Sequence, residues 1–143
     1  MPKYYIGVAV RDHVKVGERN GFAQLGHGRK SALNNLNKND WIVYYSPKTK
    51  LEGGDTVQAF VSIGKITSDT PHLADVDDSF KPYRIDVEYQ KTAKETSIRP
   101  LLNKLRLTQE RGNKWGLVFR RSKIEVKESD FKIIANAMGI NIF

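Results

Sequence analysis

The chain has 143 residues, 24 Lys+Arg against 16 Asp+Glu for a formal charge of +8, and no cysteine. That length supports one compact domain over residues 1–143, and the missing thiols exclude disulfide frameworks, zinc ribbons and thiol catalysis. No apolar run approaches the ~18 residues of a membrane span, so the expected setting is the cytoplasm, with no membrane partner.

The charge is concentrated. Residues 81–123 hold 12 basic side chains against Asp86, Glu88, Glu95 and Glu110, so this one stretch carries the whole +8. Clustered Lys and Arg release condensed counterions from phosphates, which makes a polyanion a natural partner. A solvated basic face is the competing reading of charge alone.

Tyr4 to Val10 is rich in β-formers without clean alternation, as a central strand buried on both faces requires. Asp12 is placed to cap a short helix over His13–Val16, which Gly17 would end, and Asn20-Gly21 signals a turn. Ser31 suits the N-cap of a short helix through Leu36. Trp41–Tyr45 reads as a strand closed by Ser46-Pro47, Lys48–Thr56 as an exposed hairpin-like loop, and Gln58–Thr67 as a second strand. Residues 68–81, with two turn clusters and four Asp, form the longest irregular stretch.

Tyr83 to Tyr89 alternates, with Tyr83, Ile85, Val87 and Tyr89 on one face of a half-exposed strand. Pro100 opens a helical turn carrying Leu101, Leu102 and Leu105. Trp115–Phe119 and Lys123–Val126 read as two short strands. Glu128 and Asp130 favour a helix start, and Phe131, Ile134, Ala135 and Met138 make its apolar stripe up to Gly139. The expected class is α+β, with about six strands and short peripheral helices.

Enzymatic constellations are thin. His13, His27 and His72 lack metal-ligand spacing, and Asp75, Asp77 and Asp78 lack the pattern of a calcium loop and read as a solvated loop. Gly26-His27-Gly28-Arg29-Lys30 has no second Gly-Lys-Ser/Thr of a nucleotide-binding loop, so Arg29 and Lys30 read as a flexible basic segment touching a phosphate backbone. No catalytic residue, metal or cofactor is expected. Phe22, Tyr44, Tyr45, Trp115 and Phe119 lie at strand ends or beside turns, where core packing and pocket wall both remain open; Trp41 in mid-strand reads as core.

Seven segments in order carry a resemblance: YYIGVAVRDHV (4–14), NGFAQLGHGRKSALNNLNKNDWIVYYSPKT (20–49), QAFVSIGKI (58–66), FKPYRIDVEY (80–89), IRPLLNKLRL (98–107), KWGLVFRRSKIEV (114–126) and SDFKIIANAM (129–138). Together they resemble the EVE domain family of the PUA-like group, related to YTH and ASCH domains, in its stand-alone microbial form. The resemblance implies a twisted β-barrel of five or six mixed strands with short helices around it and a concave pocket bordered by basic surface. By analogy with YTH relatives, which hold a methylated adenine in an aromatic cage, it implies a non-catalytic module that accepts a modified base of RNA or DNA.

On the matching segments, Phe22, Tyr45, Tyr83 and Trp115 are then the expected pocket-side aromatics, and Gln24 and Ser46 the groups reading the base edge. Lys48, Arg84, Arg99, Arg120 and Arg121, with Arg29 and Lys30, would hold the nucleic-acid backbone. Arg120-Arg121-Ser122 departs from the aromatic and glycine that relatives often show, and Lys127 stands where relatives prefer a Ser helix cap. Two rival readings use the same surface: a small-molecule binder or enzyme for a nucleoside, nucleotide or organic anion, and a protein-interaction domain whose basic stretch meets an acidic partner.

Overall fold

The computed structural model describes residues 1–76 and 80–142, so Asp77 and Asp78 of the expected acidic loop lie outside the described residues. Its chain-ordered elements are β1 (Tyr4–Val8), α1 (Arg11–Asn20), β2 (Phe22–Ala23), β3 (Trp41–Lys48), β4 (Thr56–Ile66), β5 (His72–Leu73), β6 (Tyr83–Tyr89), β7 (Thr96–Ser97), β8 (Lys123–Val126) and α2 (Glu128–Ala137). Tight 3-10 turns occupy Gly26–Gly28, Lys30–Leu33, Arg99–Leu101 and Gly112–Arg120. No helix among the described residues is long and apolar enough to cross a membrane.

The strands join in the order β2-β6-β4-β3-β1-β8, with β5 beside β6 and β7 beside β4. β1 and β3 run parallel; every other pairing is antiparallel, so the sheet is mixed and curls into a half-barrel. Alternation along β3 divides the core. Val43 and Tyr45 enter one apolar cluster with Phe131 and Ile134 of α2, while Ile42 and Tyr44 enter the other with Val14 of α1. Phe131 and Ile134 are fully buried, each contributing about 1.5–3 kcal/mol of transfer free energy.

Several local expectations change. β1 stops at Val8, and α1 does not end at Gly17; it runs through it to Gly21, whose left-handed φ of 75° closes the helix. Gly17 serves a close approach instead, since a Cβ there would stand 2.5 Å from the Phe22 carbonyl oxygen. Ser31 caps nothing, because Lys30–Leu33 makes only a 3-10 turn. β3 continues past Tyr45 to Lys48, tolerating Pro47 because the register with β4 shifts between Ser46 and Lys48.

Trp115–Phe119 is not a strand. The segment winds in 3-10 turns, and its two large rings, four residues apart, both enter the α2-side cluster. Trp41 sits at the margin of that cluster, half-buried, with its ring 6.4 Å from Phe131. Lys127 flanks α2 with no side-chain cap. The helix is anchored by Asp130 instead, whose buried carboxylate accepts from the Arg106 and Leu107 amides at 2.9 and 3.1 Å.

Candidate functional site

β2 is only two residues long, yet it is held from three sides. α1 crosses at Gly17 in contact with the Phe22 carbonyl, and the Tyr89 hydroxyl donates to that same oxygen at 2.9 Å. The Tyr44 hydroxyl donates to the Gln24 carbonyl at 3.0 Å and accepts from the Gln24 amide at 3.2 Å. Burial pushes both phenols well above their ordinary pKa, so they remain donors at neutral pH. Two buried hydroxyls therefore fix the backbone of residues 22–24 from inside and leave the side chains of Phe22 and Gln24 half-exposed.

Beside them runs β6, paired through Phe22↔Asp86 and Ala23↔Ile85. That register brings Arg84 over the Phe22 ring, with its guanidinium 3.9 Å from the ring centroid and its Nε donating to Gln24 Oε1 at 3.1 Å. Partial burial lowers the Arg84 pKa from its ordinary value, which for arginine lies far enough above neutrality to leave it charged. Since a guanidinium N–H can only donate, Oε1 of Gln24 faces Arg84 and the amide NH2 points elsewhere.

This stack borders a cavity of about 890 Å³, closed by the end of β1, by α1, by the Gly26–Gly28 turn and by the segment leading into β8. The turn is left-handed at three successive residues, with φ of 55°, 59° and 84° at Gly26, His27 and Gly28. Gly28 lies so close to Pro82 that an added Cβ would stand 2.3 Å from the proline Cβ. Leu25, Leu51, Val10 and Phe119 supply apolar wall, and five cations line the space: Arg29, Lys48, Arg84, Arg120 and Arg121. No Asp or Glu is among the described lining residues. Arg29 and Lys48 bond to carbonyls of their own loops, Gly26 and Leu51, while Arg120 and Arg121 have neither ion pair nor hydrogen bond among the described residues.

Trp115 does not reach this cavity. With Tyr45 and Arg99 it borders a second groove of about 600 Å³, which shares Pro47 and Phe119 with the first. Of the expected base-facing residues, Phe22 and Gln24 therefore line one space, and Tyr45 and Trp115 the other. Ser46 lines neither: because β3 continues, it stays paired opposite Ala59, fully buried, its hydroxyl without a partner. Tyr83 also lines neither and lies under Lys30, whose Nζ is 5.6 Å from the ring centroid.

A family model described as EVE domain matches residues 3–137. The chain belongs to the EVE domain family. It is 38% identical over 139 residues to the UPF0310 protein YdcG of Bacillus subtilis, covering 97% of this chain and 94% of that one. It is 40% identical over 141 residues to a UPF0310 protein of Mesorhizobium japonicum, covering 97% and 93%. Among solved structures, the YTH domain of the Zygosaccharomyces rouxii MRB1 protein, in complex with N6-methyladenosine RNA, matches with a TM-score of 0.63 at 14% identity, covering 99% of this chain and 87% of that one. The EVE domain and that YTH domain share the fold: a curled mixed sheet with a few helices.

Sequence reasoning passed over several lining residues of this EVE domain. His13 and Phe80 are examples, the first from α1 and the second an exposed ring from the 68–81 loop. The phenols of Tyr44 and Tyr89 were equally silent, since they act on backbone 20 and 67 residues away. The one available signal was at Phe80: a large apolar side chain between acidic residues and Pro82 has no strand or helix to be buried by.

Proposed function

We propose that this EVE domain binds single-stranded nucleic acid and seats one base, carrying a modification, in the cavity beside Phe22, Gln24 and Arg84. The observation that carries the reading is the lining itself: a flat ring backed by the Arg84 guanidinium and surrounded by four further cations, with no carboxylate among the described lining residues. A base would stack on that surface, where each ring–base contact contributes roughly 1–3 kcal/mol. Gln24, its oxygen occupied by Arg84, would present its NH2 to an acceptor on the base edge. The apolar wall of Leu25, Leu51 and Val10 gives a methyl-sized substituent a dry neighbour. Arg29, Lys48, Arg120 and Arg121 would meet the flanking phosphates. The volume lies within the range of ligand pockets.

The reading is one of binding without turnover: the described lining offers hydrogen-bond donors and a stacking surface. The complex of the similarly folded YTH domain with N6-methyladenosine RNA supports a nucleic-acid ligand. The test is fluorescence anisotropy with labelled single-stranded RNA and DNA dodecamers, unmodified or carrying one methylated base, with free nucleotides as competitors. The expected result is tighter binding of a modified oligonucleotide, and about 5- to 150-fold weaker binding by Phe22→Ala. Absence of binding to every oligonucleotide at low salt would sink the reading, and tighter binding of free nucleotides would favour the small-molecule alternative.

A further inference from the structure

We propose that the second groove is a nucleobase subsite for the nucleotide next to the one in the first cavity, so that the unit recognised is two splayed bases joined through a phosphate. The inference rests on the nucleic-acid reading above and adds a second contact to it. Its starting point is a wall of three rings. Phe119 stacks on Tyr45 with centroids 4.1 Å apart and planes 23° apart, and Trp115 meets the edge of Phe119 at 6.2 Å. A wall of this kind is core elsewhere in the protein, but here it opens onto about 600 Å³ of free space.

The Tyr45 hydroxyl is the second observation. Tyr5, Tyr44 and Tyr89 each donate to a backbone carbonyl, at 2.9, 3.0 and 2.9 Å. Tyr45 is just as deeply buried, 2% exposed, yet its hydroxyl has no hydrogen-bond partner among the described residues, and its side chain borders the groove. Unlike the enclosed Ser46 and Ser62 hydroxyls, it is not sealed from the groove, so a ligand there can offer it an acceptor. Burial pushes its pKa up to about 12 against the opposing charge of Arg99, so at neutral pH it holds its proton and can only serve as a donor or a weak acceptor.

Across the groove, Arg99 gives both Nε and Nη2 to Gln58 Oε1, at 3.2 and 2.6 Å, and holds its guanidinium 5.2 Å from the Trp115 ring centroid. Gln58 adopts a left-handed φ of 49°, a strained conformation for a residue with a side chain. Asn113 and Gly116 complete a rim with no Asp or Glu among the described residues. The two spaces adjoin across a shared wall, because Pro47 and Phe119 line both, and Arg120, next in sequence to Phe119, stands on the first-cavity side. A phosphate between two bases placed on either side of Phe119 would meet that guanidinium.

Two variants test this without touching the first cavity's Phe22 stack. Gly116→Leu grows into open space, since a Cβ there has no neighbour within 4 Å and the backbone is not left-handed. Tyr45→Phe removes one unpartnered hydroxyl and leaves the ring wall in place. The probes are a labelled single-stranded RNA dodecamer, a 5′-phosphorylated dinucleotide and the corresponding mononucleotide. The expected result is dinucleotide binding at least tenfold tighter than mononucleotide binding, and a roughly tenfold loss of dodecamer affinity in Gly116→Leu. Tyr45→Phe loses about threefold or more with an unchanged melting temperature, and mononucleotide binding stays as in the wild type for both. If both variants bind the dodecamer like the wild type while Phe22→Ala loses it, the second subsite is wrong and the first stands. If the wild type binds none of the three probes, both fall together.

Discussion

Tyr44 and Tyr45 are adjacent on β3, equally buried, and chemically identical, yet their hydroxyls should behave oppositely. Tyr44→Phe deletes one hydrogen bond to the Gln24 carbonyl and one from its amide, at 3.0 and 3.2 Å. Each contributes about 1 kcal/mol net of exchange with water, so the expected cost is about 2 kcal/mol. For a chain of this size that corresponds to a fall in Tm of about 8 °C. Tyr45→Phe breaks no hydrogen bond within the described residues and should move Tm by no more than about 1–2 °C. Paired thermal melts, with urea unfolding to check that the m-value is unchanged, measure the difference. Equal melting temperatures for the two variants would refute the claim that Tyr44 holds the segment presenting Phe22 and Gln24. If the claim holds, Tyr44→Phe also weakens oligonucleotide binding through Gln24.

Three further outcomes are expected. Gly28→Ala combines a left-handed φ of 84° with a Cβ 2.3 Å from Pro82, and should lose about 3 kcal/mol in urea unfolding. Gly112→Ala, with φ of 55° and no neighbour within 4 Å, should lose only the conformational ~1 kcal/mol; equal losses would show that the Pro82 contact is not tight. Asp130→Ala strands two amides now bonded to a buried carboxylate and should cost about 3 kcal/mol, whereas a variant of wild-type stability would remove Asp130 as the anchor of α2. Alkaline pH acts through the tyrosines: burial raises Tyr44, Tyr45 and Tyr89 above the value of 10 at which unfolded tyrosines ionise. Stability is therefore intact below pH 10 and falls as pH rises toward the folded-state values, by about 1.4 kcal/mol per pH unit for each residue. Equal urea midpoints at pH 9 and pH 11 would contradict that burial.

The strands were legible where alternation and β-branching coincide, as in Tyr83–Tyr89, whose expected buried face is the observed one. The fold family was legible because seven segments keep their order over most of the chain. Trp115–Phe119 misled because its composition is that of a strand while the chain winds in 3-10 turns, which put rings four residues apart on the same core. Gly17 looked like a helix end, but its role is set by a β2 carbonyl five residues away that only packing brings against it. The candidate site divided for a related reason. Phe22 and Trp115 are both aromatic and both near turns, and nothing local to either says that Phe119 and Pro47 stand between them as a shared wall.

The central claim is that the cation-lined cavity engages the phosphates of a single strand. It is tested most directly by the salt dependence of affinity for a single-stranded RNA dodecamer. With Arg29, Lys48, Arg120 and Arg121 each on a phosphate, the slope of log K against log salt should be about −3, at about −0.7 per contact. The double variant Arg120→Ala/Arg121→Ala should bring it to about −1.4. No binding, or a slope that the double variant leaves unchanged, would contradict the account.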